Sequence, residues 1–142
     1  MKKDDIVSAQ RAWGNAVAAA DVETLLALYD FANPHGPILF KPTMASEIRT
    51  DRAGAESYFV GGDPRYPSDT GFLNKGWVSV AFHSAAGAVF EADGLAANDM
   101  GKYVFTDGDG NAARADYTFS YHKVDGRVLI TLHHSSFVYG DE

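Results

Sequence analysis

Two adjacent histidines near the end of the chain, His133 and His134, are the residues that most directly suggest chemistry. They lie in an apolar segment that predicts a strand, where neighbouring side chains point to opposite faces, so the pair cannot chelate one metal ion. One histidine is expected to face the interior and the other the outer surface. The alternation of the flanking residues leaves the choice open, because Leu129 and Phe137 favour one face whereas Ile130 and Leu132 favour the other. A hydrogen-bonded structural role is favoured over a catalytic acid or base.

Arg49 is the cation best placed to bind an anion. It follows a short predicted strand and precedes a predicted helix, at the expected mouth of the interior. A guanidinium there could hold a carboxylate or phosphate through two parallel hydrogen bonds. The alternative is a surface or ion-paired arginine, with Glu47 or Asp51 as its partner.

Three tyrosines, Tyr103, Tyr117 and Tyr121, are predicted to share an inner sheet face with Phe119. Their hydroxyls could orient a small ligand, although tyrosines also fill such cores. Asp99 is the one carboxylate considered as a base, and a loop position is favoured for it. The sequence shows no Ser-His-Asp order and no glycine-rich phosphate loop, and no catalytic residue is assigned.

The run Asp107-Gly108-Asp109-Gly110-Asn111 resembles the start of a calcium-binding loop. An EF-hand needs glycine at its sixth position and glutamate at its twelfth, and here those positions hold Ala112 and Thr118. A hairpin turn is therefore predicted, and no metal or other cofactor is expected.

Composition restricts the classes of function. With 142 residues, the chain is expected to form a single domain spanning 1–142. A net charge of −7 and scattered basic residues disfavour nucleic acid as a partner, and the absence of cysteine excludes disulfides and thiolate chemistry. No secretory signal or membrane-length apolar run is found, which predicts a cytoplasmic protein without a membrane partner.

The N-terminal half predicts three helices. Apolar residues recur every three or four positions between Asp4 and Ala20. A second helix is predicted from Val22 to Tyr29 with Asp21 as its N-cap, and a third from Asp51 to Gly61. A short strand is expected around Ile38 to Lys41.

The second half predicts strands. They are expected at Trp77 to Phe82, Ala88 to Glu91, Asp99 to Thr106, Ala112 to Lys123 and Arg127 to Val138. The order of elements predicts an α+β fold, with three N-terminal helices packed on a strongly curved, mostly antiparallel sheet. Such a sheet encloses a cone whose open end is a pocket.

Several short motifs, taken in order, resemble those of a known superfamily. They are Asp21-Val22-Glu23, Phe40-Lys41-Pro42, Tyr58-Phe59, Tyr103 with Asp107-Gly108, Tyr121 before Val124-Asp125-Gly126-Arg127, and 133-HHSS-136. In this order the chain resembles the nuclear transport factor 2-like superfamily, which has a cystatin-like cone fold and includes ketosteroid isomerases and SnoaL-like cyclases. The similarity is greatest to the branch of the calcium/calmodulin-dependent protein kinase II association domain. The resemblance implies a homodimer or larger ring formed through the outer sheet face.

The resemblance also shows two departures. Phe119 and Ser135 stand where the kinase association domains carry pocket arginines, and Lys41 replaces the aspartate that shuttles the proton in ketosteroid isomerases. The comparison with the family places Ser135 inward, and His133 with it. The predicted ligand-binding residues are Arg49, Tyr103, Tyr117, Phe119, Tyr121, His133 and Ser135.

Two functions remain after these arguments. The favoured one is a homo-oligomeric association-domain-like protein whose pocket binds a small organic, possibly anionic, molecule without catalysis. The alternative is a SnoaL-like isomerase, cyclase or dehydratase that uses pocket tyrosines and histidines as acid and base. An inward His or Asp within hydrogen-bond reach of a pocket tyrosine would discriminate between them.

Overall fold

The computed structural model describes residues 1–141 and has the predicted α+β architecture. Three helices, α1 (Lys3–Ala18), α2 (Val22–Leu26) and α3 (Arg52–Val60), pack on a curved sheet of six strands. The strands are β1 (Leu39–Lys41), β2 (Trp77–Ser84), β3 (Val89–Phe90), β4 (Ala96–Asp107), β5 (Ala112–Val124) and β6 (Arg127–Phe137). A 3₁₀ turn at Phe72–Lys75, absent from the sequence prediction, leads into β2.

The sheet has the strand order β1-β6-β5-β4-β2, and β3 pairs with β4. The short strand β1 runs parallel to β6, and the other pairs are antiparallel. This topology aligns one row of inward residues across four strands. Asp99 lies opposite Phe119, Phe119 opposite His133, and His133 opposite Phe40.

The predicted helix caps are confirmed. Asp21 accepts a hydrogen bond from the Thr24 backbone N–H at 3.2 Å, and Asp51 accepts one from the Gly54 N–H at 2.7 Å. Both carboxylates satisfy amides that the first helical turn leaves without partners. At the end of α3, Gly61 has φ +79°, a conformation that favours glycine.

The second helix is shorter than predicted and ends at Leu26 rather than Tyr29. Beyond it, the backbone pairs with β6. The Ile130 N–H donates to the Leu28 carbonyl at 2.8 Å, and the Asp30 N–H donates to the Ile130 carbonyl at 2.9 Å. These two bonds hold Tyr29 beside the centre of β6, which periodicity within the helix could not reveal.

Alternation on β5 follows the prediction, because Ala115, Tyr117, Phe119 and Tyr121 are all buried. On β6 the alternation is interrupted. Ser120 pairs with Leu132 but Tyr121 pairs with Ile130, so Thr131 is the extra residue of a β-bulge. The bulge explains why Ile130, which precedes it, is buried on the inner face together with His133, although the two residues are an odd number of positions apart. It places His133 inward, whereas His134 is exposed.

Two loop predictions have different outcomes. The run from Asp107 to Asn111 is a turn between β4 and β5, as predicted, in which the Asp107 carboxylate accepts the Asn111 N–H at 2.9 Å. The loop position favoured for Asp99 is wrong, because this residue lies within β4 and is buried. No helix in the described residues is long and apolar enough to cross a membrane.

Candidate active site

His133 occupies the centre of the buried sheet face. Its ring stacks between Phe119, with centroids 4.0 Å apart, and Phe40, at 4.8 Å. Only 2% of the residue is exposed to solvent. Two aromatic faces thus fix the plane of the imidazole, and its two nitrogens can bond only within that plane.

Each nitrogen of His133 meets a tyrosine hydroxyl. Nδ1 lies 2.9 Å from Tyr29 Oη, and Nε2 lies 3.0 Å from Tyr103 Oη. Both tyrosines are buried, and Tyr29 also accepts a hydrogen bond from Trp13 Nε1 at 3.1 Å. Both nitrogens of this buried imidazole are therefore satisfied.

The hydrogen-bond chain continues through two hydroxyls. Tyr103 O–H donates to Ser135 Oγ at 2.5 Å, and the hydroxyls of Ser135 and Thr43 are also 2.5 Å apart. Ser135 shares the inner face of β6 with His133 because it follows two residues later. Thr43 comes from the segment directly after β1, which pairs with β6.

The hydrogen-bond chain ends at a cavity of about 10 Å³. Its polar lining is formed by Thr43, Tyr58, His133 and Ser135, and the apolar lining is Pro42 together with Trp13, Phe40, Phe59, Phe72, Tyr103 and Phe105. A space of this size holds about one water-sized molecule, far below the roughly 300 Å³ of a typical organic-ligand pocket. The interior of the predicted cone is filled with aromatic rings.

Tyr58 brings an unused donor to this cavity. Within the described residues its buried hydroxyl has no hydrogen-bond partner, although Thr43 and the backbone of Met44 are close to it. Burial raises the pKa of Tyr58 to about 12. A buried polar group without a partner is rare in native proteins and points to a missing ligand or water.

The site is neutral at physiological pH. Burial lowers the pKa of His133 well below 6.5, with a smaller contribution from the charge of His134, and burial raises the pKa values of Tyr29 and Tyr103. The imidazole and the phenols are therefore uncharged hydrogen-bond donors and acceptors.

The neutral state of His133 predicts a pH dependence of stability. In the unfolded chain this histidine takes up a proton near pH 6.5, whereas burial lowers its pKa in the folded protein. The unfolded state therefore binds more protons below that pH, and the folded state loses up to about 1.4 kcal/mol per pH unit. We expect urea titrations at decreasing pH to show this loss in the parent protein but not in His133→Phe. Equal pH slopes in the two proteins would contradict a buried neutral histidine.

Arg49 lies outside the cavity lining. Its guanidinium forms a bidentate pair with Asp69, at 2.7 and 2.9 Å, donates to the Gly54 carbonyl at 2.8 Å and stacks on the Tyr66 ring. The arginine is 1% exposed, and the aspartate side chain is 4% exposed. These contacts tie the loop before β2 to α3, and the partner is neither Glu47 nor Asp51.

Of the other predicted ligand residues, the structure brings Tyr103, His133 and Ser135 together and places Phe119 behind the imidazole. Tyr117 and Tyr121 are buried but do not line the cavity. Tyr117 donates to Asp99 at 2.9 Å, where Gln10 also donates, at 2.6 Å. These residues form a second polar cluster, separated from His133 by Phe119 in the sheet register.

Sequence reasoning missed Thr43 and Tyr58, and it assigned no role to Tyr29. Tyr58 was noted only as part of a family motif. A signal was available for Ser135, since His-x-Ser on a strand places both side chains on one face. No comparable signal marks Thr43, which reaches Ser135 only through the pairing of β1 with β6.

Comparison with known proteins identifies the family. Residues 4–137 match the family of metal-independent carbonic anhydrases. The chain is 36% identical, over 154 aligned positions, to a metal-independent carbonic anhydrase from Nostoc, covering 96% of this chain and 74% of that protein. The chain belongs to the metal-independent carbonic anhydrase family.

Solved structures agree with this assignment. An iota-carbonic anhydrase from a cyanobacterium, in complex with bicarbonate, superposes with a TM-score of 0.88 and 34% identity, over 99% of this chain and 94% of that one. A protein assigned as a calcium/calmodulin-dependent protein kinase II association domain, from Xanthomonas campestris, superposes with a TM-score of 0.71 and 28% sequence identity. The match covers 95% of this chain and 86% of that one. The predicted superfamily and its cystatin-like fold are confirmed, since the carbonic anhydrase family has this fold.

The predicted function is wrong. Membership of a carbonic anhydrase family contradicts both an association-domain-like protein without catalysis and an isomerase, cyclase or dehydratase. The error arose because the superfamily resemblance identifies a framework that carries many activities.

Proposed function

We propose that the protein catalyses the reversible hydration of carbon dioxide to bicarbonate, without a metal ion, in the cavity lined by Thr43, Tyr58, His133 and Ser135. The observation that supports this most strongly is the unpartnered Tyr58 hydroxyl facing a cavity of about 10 Å³, at the end of a buried hydroxyl chain. Only a substrate of a few atoms suits such a space. Bicarbonate, the molecule bound to the cyanobacterial relative, is such a substrate.

The two kinds of wall suit the two reactants. Carbon dioxide has no net dipole, and the rings of Phe40, Phe59 and Phe105 offer it an apolar surface. Water needs polar partners, and the hydroxyls of Thr43 and Tyr58 provide them. The lining therefore offers a suitable contact to each reactant. Holding the two together, which would remove much of the entropic cost of their encounter, requires the cavity to widen beyond the space of one water-sized molecule.

The reaction balances without a charged base. The water oxygen forms a bond to the carbon while one C=O π bond opens. A water proton passes to a cavity hydroxyl, which gives its own proton to a carbon dioxide oxygen. The product is carbonic acid, which releases a proton to give bicarbonate. The reverse reaction begins with the protonation of bicarbonate and ends with the loss of water.

The hydroxyls also stabilise the transition state. Negative charge develops on the carbon dioxide oxygens as the carbon bends, and donors already aimed at the cavity can bind it without reorganising. Tyr58 is suited to this role because its hydroxyl proton has no acceptor in the described residues. His133 fixes Tyr103, which in turn donates to Ser135.

A pair of neighbouring serines tests the assignment. Ser135 faces the cavity, whereas Ser136 lines a groove on the outer sheet face. Because Ser135→Ala removes one link of the hydroxyl chain, stopped-flow measurement of carbon dioxide hydration should show kcat/KM lowered by about a hundredfold. Ser136→Ala should keep the parent rate. Equal rates in all three proteins would show that hydration does not take place in this cavity.

We also infer that two chains associate through the outer sheet face. A groove of about 690 Å³ lies there, lined by residues that include Met100, Lys102, Thr118 and His134. Met100 in this groove is 62% exposed. A twofold copy of the face would cover it.

The predicted dimer can be measured directly. We expect light scattering at micromolar concentration to give twice the chain mass, and Thr118→Arg to give a monomer, because it places a bulky charge from each chain in the face that the dimer would bury. A monomeric parent protein would contradict the dimer.

A further inference from the structure

The buried hydrogen-bond chain begins at a group that can only donate. Trp13 Nε1 lies 3.1 Å from Tyr29 Oη, and Trp13 is 2% exposed. An indole N–H has no lone pair with which to accept a hydrogen bond. Tyr29 must therefore accept from Trp13, and its own proton must be donated elsewhere.

Tyr29 has one available acceptor. Apart from Trp13, Nδ1 of His133 at 2.9 Å is its only hydrogen-bond partner in residues 1–141. If Nδ1 carried a proton, Tyr29 would accept from both neighbours, and its own buried proton would have no acceptor. Since buried donors without partners are costly, Nδ1 is the bare nitrogen, and the proton of the neutral imidazole lies on Nε2.

This tautomer sets the direction of every later bond. Nε2–H donates to Tyr103, Tyr103 donates to Ser135, and Ser135 donates to Thr43. The Thr43 proton is then free to enter the cavity. The opposite tautomer would reverse the chain, so that Thr43 would turn its proton toward Ser135 and present a lone pair to the cavity.

We propose that Trp13 is a positioning residue that, through Tyr29, holds His133 as the Nε2–H tautomer, so that the cavity presents hydrogen-bond donors to the carbon dioxide oxygens. This inference rests on the proposed function for its catalytic meaning. In this arrangement His133 donates to Tyr103 and does not take a proton from water. The indole ring belongs to the apolar lining of the cavity, but this role is carried by its N–H, which acts through Tyr29, His133, Tyr103, Ser135 and Thr43.

Packing is a second role of the same residue, and the test must separate the two. The indole stacks on Tyr103 at 5.7 Å and meets the His133 ring edge-on at 5.7 Å. Trp13→Phe keeps an aromatic ring there but removes the N–H. It also leaves room beside Tyr29 for a water molecule, which can accept as well as donate and so lifts the constraint on Tyr29.

The chain offers a matched control. Trp77 is also buried, and its Nε1 donates to the Phe72 carbonyl at 3.1 Å, outside the hydroxyl chain. Trp77→Phe loses the same kind of bond without altering the partners of Tyr29. Tyr29→Phe provides an independent variant, because it leaves Nδ1 no group to which it could donate and the proton should stay on Nε2, while the tautomer of the parent protein keeps the test available if Trp13→Phe does not fold.

The experiment is nitrogen-15 NMR of the histidine rings without substrate, with the His133 signals assigned by their loss in His133→Phe. In the parent protein and in Trp77→Phe we expect a protonated Nε2 and a bare Nδ1. In Trp13→Phe we expect an Nδ1–H population to appear, with kcat about tenfold lower and KM unchanged, whereas Tyr29→Phe should keep the proton on Nε2, which still donates to Tyr103.

A protonated Nδ1 in the parent protein would overturn the proposal. An unchanged tautomer in Trp13→Phe, or an Nδ1–H population in Tyr29→Phe, would overturn it as well, whatever the activity. A third outcome is that the tautomers are as expected but the parent protein does not hydrate carbon dioxide. This result would refute the proposed function, and the direction of the hydrogen-bond chain would still be established.

Discussion

Replacing His133 by alanine is expected to lower kcat/KM for carbon dioxide hydration by about a thousandfold. The substitution removes both ring nitrogens, so Tyr29 and Tyr103 lose their shared partner. The hydrogen bonds that lead from Tyr103 to Thr43 then no longer have a fixed direction. Stopped-flow assays at several carbon dioxide concentrations should place the loss mainly in kcat, because the apolar walls remain.

The neighbouring residue provides the control for this prediction. His134 follows His133 directly but is exposed on the opposite face of β6. His134→Ala should therefore keep the parent activity. His133→Phe, which preserves the stack between Phe40 and Phe119, should be as inactive as His133→Ala. Activity in that variant would show that the ring nitrogens are dispensable.

Replacing Tyr58 by phenylalanine is expected to lower kcat/KM by about a hundredfold while the melting temperature stays the same or rises. The Tyr58 hydroxyl has no hydrogen-bond partner in the described structure, so its removal breaks no bond and relieves a buried polar atom. Loss of activity without loss of stability is the signature of a donor reserved for the reacting molecule. Differential scanning calorimetry and the hydration assay together would show it.

Tyr66→Phe is a suitable comparison, because Tyr66 lies beyond Arg49 and outside the cavity lining. This variant should keep the parent rate. If Tyr58→Phe destabilised the protein as a typical lost hydrogen bond does, its hydroxyl would be structural, and the role proposed for it in catalysis would be wrong.

Much of the framework could be predicted from the sequence because local rules determine it. Asp21 and Asp51 cap helices through their own side chains, and the alternation on β5 records which face is buried. The inward position of His133 could not be obtained from alternation, because the bulge at Thr131 shifts the phase of β6. The family resemblance supplied that position through Ser135.

The site itself depends on contacts between distant parts of the chain. Tyr29 meets His133 only because the backbone after α2 pairs with β6, and Thr43 meets Ser135 only because β1 does. Neither contact leaves a periodic pattern in the sequence. The size of the cavity is likewise set by how ten or more side chains pack, which is why an organic ligand was expected where there is room for about one water-sized molecule.

The central claim is that the hydroxyl cavity hydrates carbon dioxide without a metal ion. The most direct measurement is the loss of oxygen-18 from labelled carbon dioxide, followed by mass spectrometry, with protein that has been dialysed against a strong chelator and shown by elemental analysis to be free of metal. We expect the metal-free parent protein to accelerate the exchange as much as untreated protein does. Tyr58→Phe should reduce the acceleration by about a hundredfold. Exchange at the uncatalysed rate in the metal-free parent, or an undiminished rate in Tyr58→Phe, would contradict the account.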